Sequence, residues 1–179
     1  RLTRMATDLL TLARSEAGVT PTDTAEVDLR LIAEQVAERR RAVAGARGVA
    51  ITVSGPPVIV RGDPALLERV VGNLLDNAVR HSPEGGAVGI TIDAGEAVTL
   101  TVCDEGPGIP AGEQAQLFSR FFRGETRQRE DSGTGLGLAI AKTAAEAHGG
   151  RLEFVGNDPG AVFRLVLPGA RAGAGKAPA

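Results

Sequence analysis

Residues 63–82 read DPALLERVVGNLLDNAVRHS, and the rest of the chain is best understood outward from them. Asp63-Pro64 is a helix start, with Asp as N-cap and Pro at the first helical position. The helix is expected to run to about Ser82. With about 100° of turn per residue, Asn73, Asn77 and Arg80 share an arc of about 60°. Val70, Val71, Leu74, Leu75 and Ala78 fill the neighbouring arc, the face to be buried. Two asparagines four residues apart thus border an apolar stripe, although Asn disfavours helix interiors because its amide competes for backbone hydrogen bonds. An amide carbonyl oxygen is a suitable hard ligand for Mg²⁺ already bound to phosphates. Arg80, one turn on, can complement phosphate charge. Taken alone, the pair is also explained by amides bonded to neighbouring backbone.

On the C-terminal side, residues 88–94 (VGITIDA) and 97–103 (AVTLTVC) alternate at period 2 around Gly95-Glu96, a hairpin signal. The second strand runs into Asp104-Glu105-Gly106-Pro107-Gly108-Ile109-Pro110. A carboxylate at a strand end, followed by two glycines, can floor a pocket that a flat ligand approaches closely. Carboxylate oxygens only accept hydrogen bonds, so Asp104 prefers an exocyclic amine, as on adenine, to the keto oxygen of guanine. An ordinary Asp-Gly turn explains the same residues. A short helical piece is expected near 111–118. LFSRFFRG (117–124) follows, then arginines 127 and 129, and the whole reads as a lid with aromatic anchors and glycine hinges; a surface loop with a Phe plug is the plainer alternative. In SGTGLGLAI (132–140), Gly133, Gly135 and Gly137 alternate before a helix over 136–148 that Gly149-Gly150 stops. Backbone N–H groups at such a helix start can bind an anion, while a hinge without ligand fits equally. Residues 151–155 and 161–167 read as two more strands around Asn157-Asp158-Pro159-Gly160.

On the N-terminal side, a helix is expected over 26–46, with Leu29, Ile32, Ala33, Val36, Ala37 and Val43 on its apolar face and Arg39, Arg40 and Arg41 solvated. Residues 50–54 and 58–60 read as short strands around a Gly-Pro-Pro turn. Residues 18–25, with Gly18 and Pro21, read as a linker. Before them, Leu2, Met5, Leu9 and Leu12 make one helical seam over 1–17. The tail 169–179, rich in Ala and Gly, is expected to be disordered. Strands in hairpins with helices between them give an α+β class: a mixed, mostly antiparallel sheet covered by helices on one face.

Composition narrows the function. The chain has 179 residues, 20 Lys plus Arg against 22 Asp plus Glu, and a net charge of -2. No polycation is available to coat nucleic acid. Cys103 is the single cysteine, so the fold holds no internal disulfide. No apolar run is long enough to span a membrane. The first residue, Arg1, falls inside a helical pattern, which points to a piece of a longer chain.

Four boxes in order, NLLDN (73–77), DEGPGIP (104–110), LFSRFFRG (117–124) and GTGLGLAI (133–140), resemble the ATP-binding catalytic domain of bacterial sensor histidine kinases. That domain has the Bergerat-type fold shared with gyrase and Hsp90, a two-layer α/β sandwich with a mobile ATP lid. The likeness covers residues 26–168. Residues 1–17 resemble the end of the second helix of a kinase dimerisation hairpin. The resemblance implies that Asn77 binds Mg²⁺, with Asn73 assisting the metal or its waters, and that Arg80 touches phosphate. His81 stands where the family often has Tyr and would lie over the ribose or base. Asp104 would read the adenine amine, with Gly106, Gly108 and Ile109 forming the loop the base approaches. Phe118, Phe121 and Phe122 would anchor the lid, and Arg123 would face the terminal phosphates. Gly133, Thr134, Gly135, Leu136 and Gly137 would cradle the phosphates.

The same resemblance implies Mg-ATP as cofactor and a γ-phosphoryl transfer to a histidine, for relay to a response regulator. It also implies a homodimeric, membrane-anchored parent with this domain on the cytoplasmic side. The acceptor box, of the form SHELRTPL, is absent from the sequence. The only histidines are His81, inside the nucleotide helix, and His148, which reads as a helix-end residue. Two other readings share the fold. A gyrase- or Hsp90-like ATPase places a Glu four residues before the metal Asn, where this chain has Asn73. A regulatory binding module of anti-sigma type also expects that Glu and lacks the Phe-rich box.

Overall fold

The computed structural model describes residues 24–124 and 134–169. In chain order the elements are β1 (Ala25–Asp28), α1 (Leu29–Gly45), β2 (Ala50–Ser54), β3 (Ile59–Gly62), α2 (Pro64–His81), β4 (Ala87–Ala94), β5 (Ala97–Asp104), a single turn α3 (Ala111–Gln114), α4 (Gly137–Ala147), β6 (Arg151–Asn157) and β7 (Ala161–Pro168). The expected seam over 1–17, most of the 18–25 linker, residues 125–133 and the tail from 170 lie outside the described residues.

Five strands form one sheet in the order β2-β4-β5-β7-β6. Only β2 and β4 are parallel; the other neighbours are antiparallel. A parallel pair needs a long crossover, and α2 lies in it. Period-2 alternation sends Val88, Ile90, Ile92, Val98, Leu100 and Val102 to one face. There they join Leu67, Val70, Val71, Leu74 and Leu75 of α2, with Leu29 and Val36 of α1, in one apolar cluster. The class is α+β with helices on one face of a mostly antiparallel sheet, as expected. Among the described residues no helix is long and apolar enough to cross a membrane.

Three local expectations change. The helix expected from residue 26 begins at Leu29. Residues 25–28 pair instead with β3, Val27 opposite Val60, and both of these side chains are buried. Asp28 is extended, and its Oδ1 accepts from the N–H groups of Arg30 and Leu31 (2.9 and 3.3 Å), which starts the helix there. The strands on either side of Gly55-Pro56-Pro57 do not form a hairpin: β2 joins the large sheet and β3 the small one. The two prolines have no N–H to offer a ladder, and Gly55, at φ +108°, packs on the backbone of Ile92. Val43 is 65% exposed and Ala44 takes the buried place. Of the three arginines, Arg39 and Arg40 pair with Glu68 and Asp76 of α2 (2.6 Å each), and Arg41 pairs with Glu38.

The second half of the structure is positioned by His148, which follows α4. Its Nε2 accepts the backbone N–H of Asp63 (2.9 Å), so Nδ1 carries the proton and donates to the Ala144 carbonyl (2.6 Å). A Cβ on Gly62 would sit 2.6 Å from the ring, so glycine there lets the imidazole in. The C-terminal end of α4 is thereby tied to the N-cap of α2. The start of α4 lies further along α2, with Gly137 beside Asn73. The two helices therefore run antiparallel.

Two expectations follow. His148→Ala strips the Asp63 N–H of its acceptor and should cost about 1–3 kcal/mol, read as a lower urea midpoint at unchanged slope. A midpoint equal to that of the parent chain would show that the bracket contributes nothing. Cys103 lies on the sheet face opposite the helices. Burial first, and then the carboxylates of Asp104, Asp158 and Glu105, push its thiol above its ordinary value. Only the thiolate alkylates, so its iodoacetamide rate should still climb with pH where that of glutathione has levelled off. Two profiles that level off together would contradict this electrostatic setting.

Candidate functional site

The first wall is α2. Its amphipathic pattern buries Val70, Leu74, Leu75 and Ala78 and leaves Asn73 and Asn77 half-buried on the flank, as the angular count expected. The Nδ2 of Asn73 is buried and has no hydrogen-bond partner in the protein. Leaving such a donor unmade costs about 1–3 kcal/mol. The Nδ2 group of Asn73 is thus not bonded to neighbouring backbone. A Cβ on Gly137, at the start of α4, would sit 3.6 Å from the Asn73 amide. Arg80 is exposed, and its carbonyl accepts from Arg47 Nη2 (3.1 Å). His81 is half-buried, and its carbonyl would lie 2.5 Å from a Cβ on Gly106.

The second wall is the end of β5. Asp104 is 2% exposed. Its Oδ1 accepts from the N–H of Gly106 (2.8 Å) and of Ala161 (3.0 Å), and its backbone carbonyl accepts from Gly160 N–H (3.0 Å). Gly160 packs so closely on Asp104 that any side chain there would collide with it. The turn between β6 and β7 thus reaches back to orient the carboxylate. The sequence marks that turn only as Asn-Asp-Pro-Gly, a hairpin signal, and nothing in it shows that its glycine faces a carboxylate more than fifty residues earlier. Gly108 adopts φ +73°, a conformation that favours glycine. Ile109, two residues beyond Pro107, is buried.

The third wall is the segment after α3. Phe118 packs edge-on against Phe163 (6.3 Å between centroids, 84° between planes), with Lys142 Nζ 5.6 Å from its centroid. Phe122 packs against the main core. Phe121 departs from the expected anchor role: it is 59% exposed and sits at φ +60°. Its contribution is made by backbone, since its N–H donates to the Gly135 carbonyl (3.0 Å). Gly135, at φ +71°, has Phe121 Cα 2.9 Å from where a Cβ would be. The two ends of the glycine-rich segment are therefore joined at their base. Thr134 Oγ1 accepts from Leu136 N–H (3.3 Å), and Leu136 is fully buried beside Ile140. Arg123 is exposed; Gly133, Arg127 and Arg129 lie outside the described residues.

The walls meet along α2. At one end His81 touches the glycine loop that Asp104 opens, and at the other Asn73 faces the start of α4. Eight helical residues separate these ends by about 12 Å. One end offers a buried acceptor, and the other an unmet amide donor beside the N-terminal, electropositive end of a helix.

Comparison with known proteins gives the family. Residues 62–171 match the family described as histidine kinase-, DNA gyrase B- and HSP90-like ATPase. The signal transduction histidine-protein kinase/phosphatase MprB of Mycolicibacterium vanbaalenii is 41% identical over 177 residues, covering 94% of this chain and 35% of the relative. The chain spans about a third of the length of the curated relatives it matches. A solved structure of a mycobacterial sensor histidine kinase MprB superposes with a TM-score of 0.72 at 37% identity, over 81% of this chain and 98% of the other. Full-length ShkA in complex with AMPPNP superposes at 0.77 and 30% identity, over 93% of this chain and 35% of the other. Likeness in sequence and backbone makes the chain a member of the histidine kinase-, DNA gyrase B- and HSP90-like ATPase family, on its sensor histidine kinase side.

Proposed function

We propose that the chain binds Mg-ATP along α2 and presents the γ-phosphoryl group to a histidine carried on a dimerisation hairpin. The observation that carries this reading is the pairing of ends: a fixed buried carboxylate at one, and the orphaned Asn73 donor beside the start of α4 at the other. Asp104, held by two backbone N–H groups, accepts from the adenine amine. Gly106 and Gly108 keep side chains out of the base's way, and His81 lies against the base or ribose. The Asn73 Nδ2 group is a donor and suits a phosphate oxygen or an ordered water. N–H groups at the start of α4, with Thr134, Gly135 and Leu136 ahead of it, take the phosphate anions. Arg80 and Arg123 supply further positive charge.

The donor set fits a metal carried in with the phosphates. Asn77 contributes one hard oxygen, and Mg²⁺ is ordinarily bound through one or two protein groups plus substrate phosphates. When bound, it neutralises charge on the phosphate oxygens. The protein's share of the reaction is positioning and charge stabilisation of an in-line transfer. The bond from the γ-phosphorus to the β–γ bridging oxygen breaks, a phosphorus–nitrogen bond forms on the acceptor imidazole, ADP departs, and the imidazole gives up its proton. The position four residues before Asn77 carries Asn73 rather than a carboxylate, which leaves water without a base and favours transfer over hydrolysis. Neither histidine of the chain suits the acceptor role, since His81 belongs to the site and both ring nitrogens of His148 are engaged. The acceptor would lie on the hairpin to which residues 1–17 belong. Relay to a response regulator and a membrane-anchored dimeric parent complete the proposal.

Calorimetric titration with a non-hydrolysable ATP analogue and its GTP counterpart, each with and without Mg²⁺, tests the site. Adenine-selective binding strengthened by Mg²⁺ is expected; absence of binding in all four arms would overturn the reading. Asn77→Ala should remove the Mg²⁺-dependent part of the affinity while the unfolding midpoint holds. Undiminished Mg²⁺ dependence in the folded variant would remove Asn77 from the metal. Asp104→Asn keeps an oxygen for the Gly106 and Ala161 N–H groups but can turn an amide N–H₂ toward the base. The preference for ATP over GTP should fall by about ten- to a hundredfold, the equivalent of one charged hydrogen bond. An unaltered ratio would take Asp104 out of base recognition.

A further inference from the structure

We propose that Asn157 is a positioning residue of the base pocket, acting through the backbone of Ile109; the inference rests on the nucleotide reading above. Asn157 ends β6, and its side chain treats Ile109 as a neighbouring strand would. Oδ1 accepts the Ile109 N–H (2.9 Å), and Nδ2 donates to the Ile109 carbonyl (3.1 Å). A second donor, Gln114 Nε2 of α3, reaches the same carbonyl (3.1 Å). The carboxamide lies flat on Gly108, where a Cβ would come within 2.6 Å of Asn157 Cγ. Glycine at 108 is therefore needed twice, for its positive φ and for the space the amide fills.

The consequence is clearest at the two ends of the loop 104–109. Its start is held by the turn after β6: Ala161 N–H is on the Asp104 carboxylate and Gly160 N–H on its carbonyl. Its end is held by Asn157, the first residue of the same turn. One four-residue connection, Asn157 to Gly160, thus clamps both ends of the segment that would meet the base. A loop containing Gly106 and Gly108 has much backbone entropy to lose on ordering. If it is not held beforehand, only a fraction of molecules present the competent conformation, and apparent affinity falls by that fraction.

Two variants separate this from general stability. Asn157→Asp keeps the size and the acceptor but sets a carboxylate oxygen against the Ile109 carbonyl; Asn157→Ala removes both bonds. Each is titrated with AMPPNP and Mg²⁺ and with magnesium tripolyphosphate, a probe of the phosphate end alone. Urea midpoints and hydrogen exchange at the Ile109 amide are read in parallel. AMPPNP affinity is expected to drop about tenfold in both, as for the loss of one or two hydrogen bonds. Tripolyphosphate binding should stay unchanged, and Ile109 exchange should be faster in Asn157→Ala. Equal losses for both probes with a lowered midpoint would make Asn157 merely structural and overturn the proposal. So would undiminished AMPPNP affinity. If the parent chain itself binds no AMPPNP, the nucleotide reading has failed and this inference goes with it. Parent binding with unaffected variants removes Asn157 alone.

Discussion

A buried carboxylate must be hydrogen-bonded or it does not stay buried as an anion, and Asp104 imposes that condition on the centre of this molecule. It sits at the end of a central strand, 2% exposed. Two backbone N–H groups from different places donate to it, Gly106 in the loop it opens and Ala161 at the start of β7. Meeting that need joins the β4–β5 hairpin to the β6–β7 hairpin at one corner of the sheet. It leaves no room for a side chain at Gly160, and it puts a fixed negative charge beside Cys103 on the opposite face. The loop after Asp104 and the sheet corner are one construction.

The helix layer is organised with the same economy. α2 is pinned to α1 by Arg39–Glu68 and Arg40–Asp76, and to the end of α4 through Asp63 and His148. What those ties hold in place is a surface that is not self-satisfied. Asn73 has a buried donor without an acceptor, and Phe121 sits at a positive φ with its ring in solvent. Such features each cost on the order of 1–3 kcal/mol and persist only where the surroundings over-determine them. Both belong to the stretches proposed above to meet the nucleotide. Relatives of this architecture include sensor histidine kinases, and the similar ShkA was solved with AMPPNP.

Much of this was legible in order along the chain. Asp63-Pro64 started α2 at the residue found, and the Gly95-Glu96 turn joined β4 to β5 as a hairpin. The polar flank of Asn73 and Asn77 followed from helical periodicity. The misreadings share a cause. β1 is four residues long and is a strand only because β3 lies beside it. Val43 fits an apolar helix stripe by periodicity, but the packing around the end of α1 leaves it exposed and buries Ala44 instead. Phe121 sits in the same aromatic box as Phe118 and Phe122, and only the packing distinguishes the one that points outward.

Sequence alone determined the class, the main helices and the β4–β5 and β6–β7 hairpins, because capping, periodicity and turn chemistry act over a few residues, and its four ordered boxes carried the resemblance to the family. Tertiary structure alone decided that β2 and β3 part company, that His148 brackets two helices, and that the Asn157–Gly160 turn clamps both ends of the loop after Asp104. Those are contacts between residues 31 to 85 positions apart. No local propensity encodes them; they arise when the chain closes on a sheet whose strand order is not its sequence order.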